Sequence, residues 1–275
     1  MQLLTNFIES KEGLTMIRAQ SLTSNGWLNT YYLIDTGATL SLFSPEVCRI
    51  KEGFDNITDL KGITLISQKC TAVVLLSDKT MKIDGNVIDY DILPSVDGKR
   101  LSGILGVEFL EKNRLILDFF NGGVYLKEHV ASVNNEYSFI SINLGLNGCY
   151  IPTILLNYNN HQLPFIIDTG ATNNMVVPAI SYNCVGIKDS ESYLIRGLVS
   201  SSLAKEYELN FYIQMHKKGK IRRYDFSDVF TLIEQDPIVG HSVFNTNYGI
   251  IGNVFIQRQK WIIDFSARKI YERLE

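Results

Sequence analysis

Asp35-Thr36-Gly37-Ala38-Thr39 follows the apolar run Tyr31-Tyr32-Leu33-Ile34, and the same pentapeptide returns as Asp168-Thr169-Gly170-Ala171-Thr172 after Pro164-Phe165-Ile166-Ile167. An ionisable carboxylate placed straight after a buried strand needs a partner, because an unpaired buried charge is costly. Two copies of one pentapeptide supply two such carboxylates. If they meet, they form a pair that shares one proton and works as a general acid and base.

The repeat extends outward from the pentapeptide. Pro45 and Pro178 each lie ten positions after their aspartate. Further on, Gly103-Ile104-Leu105-Gly106 is matched by Gly249-Ile250-Ile251-Gly252. Twelve residues beyond each final glycine stands an Asp-Phe pair, Asp118-Phe119 and Asp264-Phe265. Each pair follows an apolar run, Leu115–Leu117 or Trp261–Ile263, and precedes another short one, Val124–Leu126 or Ile270-Tyr271. The middle of the second copy, from Asp168 to Gly252, is longer than that of the first, from Asp35 to Gly106. A long period repeated only twice points to two homologous lobes rather than a solenoid.

The rest reads as strands and turns. Thr15–Ser21 and Leu28–Ile34 flank Ser24-Asn25-Gly26, a strong hairpin signal. Ile151–Leu156 and Leu163–Ile167 flank Asn157–Asn160 in the same way. Further strands are expected at Cys70–Leu76, Met81–Ile83, Val87–Leu93, Leu209–Met215 and Phe230–Ile233. Short helices are expected at Val107–Asn113 and Val254–Lys260. The polar segment Glu128–Glu136 is the expected boundary, giving lobes at 1–130 and 137–275.

At these residues the chain resembles the retropepsin-like and pepsin-like aspartic proteases. Their signature is Asp-Thr-Gly with two apolar residues and a glycine later in the same lobe. Here it reads Asp35-Thr36-Gly37 with Ile104-Leu105-Gly106, and Asp168-Thr169-Gly170 with Ile250-Ile251-Gly252. The matched halves cover about Leu28 to Tyr271. The Asp-Thr-Gly-Ala form looks more like retropepsins, joined in one chain. The resemblance implies an all-β acid-protease fold, two pseudo-twofold-related β-barrel lobes with a cleft between them. It implies an endopeptidase in which Asp35 and Asp168 activate a water. Gly37 and Gly170 let the loops turn tightly, and Thr36 and Thr169 hydrogen-bond across the pseudo-twofold. The glycine motifs pack beneath the loops. The substrate is a polypeptide bound in extended form. No cofactor or metal is implied, and the chain is expected to work as a monomer. The pepsin-type flap signature is missing from both halves; Lys61–Cys70 and Arg196–Lys205 are the flap candidates. The alternative from another class is a catalytically silent retropepsin-like module that grips peptides.

Composition and charge are consistent with a globular chain. Of 275 residues, 45% are hydrophobic and 20% charged, with a net charge of −3, which argues against disorder and against nucleic acid as a partner. The basic run Lys217-Lys218-Gly219-Lys220-Ile221-Arg222-Arg223 lies between two apolar runs and reads as a solvated hairpin tip. Cys48, Cys70, Cys149 and Cys184 have no metal-ligand spacing among themselves or with His129, His161, His216 and His241. They read as free thiols of a reducing compartment. With no signal-peptide pattern in Met1–Glu9 and no long apolar run, the expectation is a cytoplasmic protein without a membrane partner. The leader Met1–Gly13 carries no mark of a role. Asp118 and Asp264 are expected in surface or turn positions outside the site.

Overall fold

Strands Thr15–Thr23 and Gly26–Ile34 pair antiparallel from Met16 with Leu33 to Thr23 with Gly26, so the Asn-Gly turn forms the hairpin its sequence signals. Together they begin a closed barrel of six strands. Gly26–Ile34 runs parallel to Gly103–Leu105, which pairs antiparallel with Leu42–Phe43. Leu42–Phe43 runs parallel to Lys79–Val87, which pairs with Thr64–Leu76, and Thr64–Leu76 returns to Thr15–Thr23 through Gln20 with Leu75. The structure, a computed structural model, describes residues 2–58, 64–89, 91–93, 95–127, 135–143, 148–158, 161–176, 193–196, 201–217, 220–233 and 248–272. With 65% strand and 8% helix, it is an all-β protein.

A second circuit of pairings uses the same senses in the same order. Thr153–Tyr158 pairs antiparallel with His161–Asp168, which runs parallel to Gly249–Gly252. Gly249–Gly252 meets Asn174–Val176 antiparallel through Ile250 with Met175, and Asn174–Val176 runs parallel to Lys220–Ile233. Lys220–Ile233 pairs with Ser201–Lys217, which touches Thr153–Tyr158 through Tyr212 with Asn157.

An antiparallel sheet of six strands runs beneath both circuits. Its order is Gln2–Glu9, Gly123–Leu126, Leu115–Asp118, Trp261–Asp264, Lys269–Glu272, Asn135–Ser138. The two circuits are joined at its middle, where Leu117 faces Ile263. One core cluster runs through the whole assembly, from Leu4, Ile34 and Phe43 to Phe230, Phe255, Trp261 and Ile270. Its aromatic members touch in series, with Phe211 edge-on to Phe230 and Phe255 edge-on to Trp261, which adds about 0.5–1.5 kcal/mol per pair beyond burial.

Several expectations shift. The leader is a strand, Gln2–Glu9, laid along Gly123–Leu126; only Leu4 of it is buried, so its pattern carries little apolar periodicity. Val87–Leu93 is not a strand. Val87 ends one, and the chain then turns at Asp89, with Ile92 and Leu93 amides donating to the Asp89 carbonyl, so that Ile88 and Leu93 fill a second apolar cluster. The polar strand Cys48–Thr58 has no counterpart among the expected strands. Residues 128–134 of the expected boundary lie outside the described residues, and Asn135–Ser138 is a strand. Asp118 and Asp264 are the last residues of their strands, each leading into a turn, and are fully buried rather than on the surface. Each carboxylate accepts backbone amides of its own turn: Phe120 and Asn121 for Asp118, Ser266 and Ala267 for Asp264. Lys127 pairs with Asp264 as well, at 2.9 Å. Of the basic run, Lys217 stands opposite Lys220 at the end of two paired strands, with Lys220 and Arg222 exposed, while residues 218–219 lie outside the described residues.

Candidate active site

Asp35 and Asp168 are brought together. Asp35 follows strand Gly26–Ile34 and Asp168 ends strand His161–Asp168, and each carboxyl packs against the glycine of the opposite loop. Each loop folds back on its own carboxylate. Asp35 Oδ1 accepts the amides of Gly37 at 2.8 Å and Ala38 at 3.0 Å. Asp168 Oδ1 accepts those of Gly170 at 2.8 Å and Ala171 at 3.1 Å. Both oxygens facing the backbone are therefore satisfied in the same way, leaving Oδ2 of each carboxyl for its partner and for a ligand.

Burial raises the Asp35 carboxyl above the usual carboxylate range, against hydrogen bonds from Asp168 and its loop amides that lower it. Burial raises Asp168 further; repulsion from Asp35 and the hydrogen bond to it add to the rise. The pair thus keeps a proton to higher pH than isolated carboxyls would, and its two titration steps belong to the pair. Asp168 is 6% exposed, whereas Asp35 keeps more of its surface open to solvent.

The two threonines lock the loops to each other. Thr36 N–H donates to Thr169 Oγ1 at 3.1 Å, and Thr169 N–H donates to Thr36 Oγ1 at 3.0 Å. Each hydroxyl then donates to the strand before the opposite aspartate: Thr36 Oγ1 to the Ile167 carbonyl at 2.6 Å, Thr169 Oγ1 to the Ile34 carbonyl at 2.7 Å. Both side chains are fully buried, and no polar group among these is left without a partner.

The glycines serve space rather than turn conformation. Neither Gly37 nor Gly170 has a positive φ. A Cβ on Gly37 would lie 2.5 Å from Oδ2 of Asp168, and one on Gly170 would lie 2.5 Å from Oδ2 of Asp35. The absent side chain of each loop is what lets the opposite carboxyl approach.

Beneath the loops, the glycine motifs behave as a floor. Gly106 passes so close that a Cβ would lie 2.5 Å from the Leu40 carbonyl, and Gly252 stands in the same relation to that of Asn173. The short helices Val107–Lys112 and Asn253–Arg258 follow. Their first amides lack intrahelical acceptors and are satisfied by the loops, Val107 N–H by the Ala38 carbonyl at 2.9 Å and Asn253 N–H by that of Ala171 at 2.7 Å.

Ser41 and Asn174 were not singled out from sequence. Ser41 Oγ accepts the Gly106 amide at 3.1 Å, and Asn174 Oδ1 accepts the Gly252 amide at 3.0 Å. Both are buried, and each lies six residues after its aspartate. A polar residue at one shared offset from both aspartates, just ahead of an apolar pair (Leu42-Phe43 or Met175-Val176), is the signal that could have found them.

Of the flap candidates, residues 61–63 and 197–200 lie outside the described residues. What remains of each belongs to a hairpin: Thr64–Leu76 pairs with Cys48–Thr58, and Ser201–Lys217 with Tyr193–Arg196. Pro45 starts a short 3-10 turn, Pro45–Val47, while Pro178, Cys184, His129 and His241 lie outside the described residues. His216 is exposed on its strand.

No protein-family model and no curated protein matches this chain. Among the described residues, no helix is long and apolar enough to cross a membrane.

Proposed function

We propose that this chain is an aspartic endopeptidase of the retropepsin-like kind, with two lobes, 1–130 and 137–275, and its active site between them. The observation that carries this reading is the pair itself: two interacting carboxyls from matched Asp-Thr-Gly-Ala loops, each packed against the glycine of the opposite loop. A binding module has no need of such a pair, whose mutual repulsion works against folding. The repeated order of strand pairings and the exchange between Thr36 and Thr169 support a pseudo-twofold axis through the site. With that symmetry inside one chain, a second copy is not required, and the protein acts as a monomer.

In this reading the substrate is a polypeptide that enters the cleft extended and adds its backbone to the flanking strands. The ionised member of the pair takes a proton from water as the water attacks the scissile carbonyl. The protonated member donates to the carbonyl oxygen, giving a neutral tetrahedral intermediate. Its collapse passes a proton to the leaving amine and restores the singly protonated pair. Neither a metal nor an organic cofactor takes part. The cytoplasm is the proposed compartment, in keeping with the free thiols of Cys48, Cys70 and Cys149.

The test is binding of a pepstatin-type inhibitor, which mimics the tetrahedral intermediate. At 100 times its Kd it should stabilise the protein by about 2.7 kcal/mol, seen as a rise in Tm. Asp35→Asn should lose that rise. An inhibitor that never shifts Tm, together with absence of peptide cleavage, would favour the silent peptide-binding module.

A further inference from the structure

Cys48 and Cys70 lie on the two strands of the first hairpin, near its base. Cys48 is opposite Ala72, and Cys70 is opposite Ile50, so the cysteines stand diagonally across the strand pair on one face. Neither is bridged, and the Cys48 thiol donates to the Ser44 carbonyl at 3.4 Å. Cys70 is 1% exposed and belongs to the core, whereas Cys48 is only half-buried and reaches solvent. An accessible thiol beside a buried one on the same face is the arrangement of a peroxide-sensing pair, one sulfur to be oxidised and one to resolve.

We propose that Cys48 and Cys70 are a site of reversible oxidation, closing to a disulfide under peroxide and reopening with thiol reductants. The Cys48 thiolate attacks a peroxide oxygen: an S–O bond forms, the O–O bond breaks, and hydroxide leaves and takes up a proton. Cys70 sulfur then attacks the Cys48 sulfenic sulfur: the S–S bond forms, the S–O bond breaks, and water leaves with the Cys70 proton. Two thiols have lost two hydrogens, and peroxide has become two waters.

The electrostatics give the order of events. Interaction with Cys70 holds the Cys48 thiol below the usual cysteine range, while interaction with Cys48 and burial push Cys70 up. Cys48, the more acidic and more accessible thiol, is therefore the group oxidised first and Cys70 the resolving group. Cys149 is an internal comparison: it is 6% exposed, and burial pushes its thiol up to about 11, so it should stay inert.

The diagonal placement explains why the bond should be reversible. Diagonal neighbours on paired strands stand about 7–8 Å apart, beyond the roughly 4.4–6.8 Å between Cα atoms that a relaxed disulfide spans. Closing the bond must shear the hairpin at its base, and a bond under such load is reduced readily. The hairpin then carries a cross-link where its polar outer part, with Phe54 and Ile66 exposed, joins the barrel.

The experiment treats the whole protein with hydrogen peroxide, alkylates the remaining thiols and maps the peptides by mass. A linked Cys48–Cys70 peptide should appear, both alkylation sites should vanish together, and dithiothreitol should restore them, with Cys149 labelled throughout. Cys48→Ser should yield no linked peptide, and Cys184→Ser should yield it undiminished. The proposal is overturned by sulfinic acid on Cys48 without a link, by a bridge to Cys184 or to another chain, or by both thiols remaining labelled. Because the linked peptide is read on the unaltered protein, a variant that fails to fold does not spoil the test, and none of the outcomes depends on peptidase activity.

Discussion

Thr36 and Thr169 exchange hydrogen bonds across the site, each backbone amide donating to the other's hydroxyl at 3.1 and 3.0 Å. Each hydroxyl also donates to the strand end that carries the opposite aspartate. The aspartates are thus held not by their own loops alone but by a lock whose two halves come from different parts of the chain. Thr36→Ala removes an acceptor from the Thr169 amide and a donor from the Ile167 carbonyl, both in a fully buried place. Leaving buried groups unsatisfied costs about 1–3 kcal/mol each. Urea unfolding should show a loss of roughly 2–5 kcal/mol for Thr36→Ala or Thr169→Ala, and Thr→Ser at either position should recover most of it.

Space at the glycines is the second requirement. Gly37→Ala would place a methyl 2.5 Å from the Asp168 carboxyl, and Gly170→Ala would do the same to Asp35. One of the two carboxyls must move. A displacement of about 1 Å in a reacting group can cost on the order of 100-fold in rate. Both variants should fold, as neither position needs a left-handed backbone, and both should lose at least that factor in kcat/KM against a peptide substrate. Normal kcat/KM in either would show that the pair tolerates separation.

Stability should depend on pH through Asp168. Its folded-state pKa is raised, chiefly by burial and then by Asp35. A carboxyl raised in the folded state contributes stability that is fully present below the ordinary carboxylate range and is lost as pH rises through the folded-state value. At neutral pH the pair therefore works against folding. Asp168→Asn should raise Tm near neutral pH and lose that advantage in strong acid, with about 2–4 °C for each kcal/mol in a chain of this size. A variant less stable than the parent at neutral pH would contradict the sign.

The pH dependence of catalysis follows from the loop residues. Ala38 and Ala171 give each carboxylate a backbone amide and no hydroxyl. A hydroxyl donor would favour the ionised form and lower the pair's first titration step. Rates should peak at weakly acidic to near-neutral pH. Ala38→Ser with Ala171→Ser should shift the acidic arm of the pH–rate profile downward. An optimum already in strong acid, or an unmoved arm in the double variant, would overturn this.

Much of the fold was legible because the decisive residues repeat. Two pentapeptides and two glycine motifs located the parallel strand pairs that carry the aspartates and the helices behind them. What was not legible lies where polarity hides a strand. Gln2–Glu9 and Cys48–Thr58 are held by ladder hydrogen bonds along sheet edges or in a protruding hairpin, and few of their side chains are buried. The converse holds at Val87–Leu93, where apolar residues serve a turn packed into the second apolar cluster. Ser41 and Asn174 escaped notice because their role, accepting one glycine amide each, depends on a contact made far away along the chain.

Cleavage of a peptide library by the purified protein, followed across pH beside Asp35→Asn, tests the central claim most directly. Shared use of one proton by Asp35 and Asp168 predicts internal cleavage of extended peptides with a bell-shaped pH profile, and a loss on the order of 10⁴-fold or more in Asp35→Asn, since members of such a unit fail together. Turnover in Asp35→Asn equal to that of the parent, or no cleavage of any peptide by the parent at any pH, would contradict it.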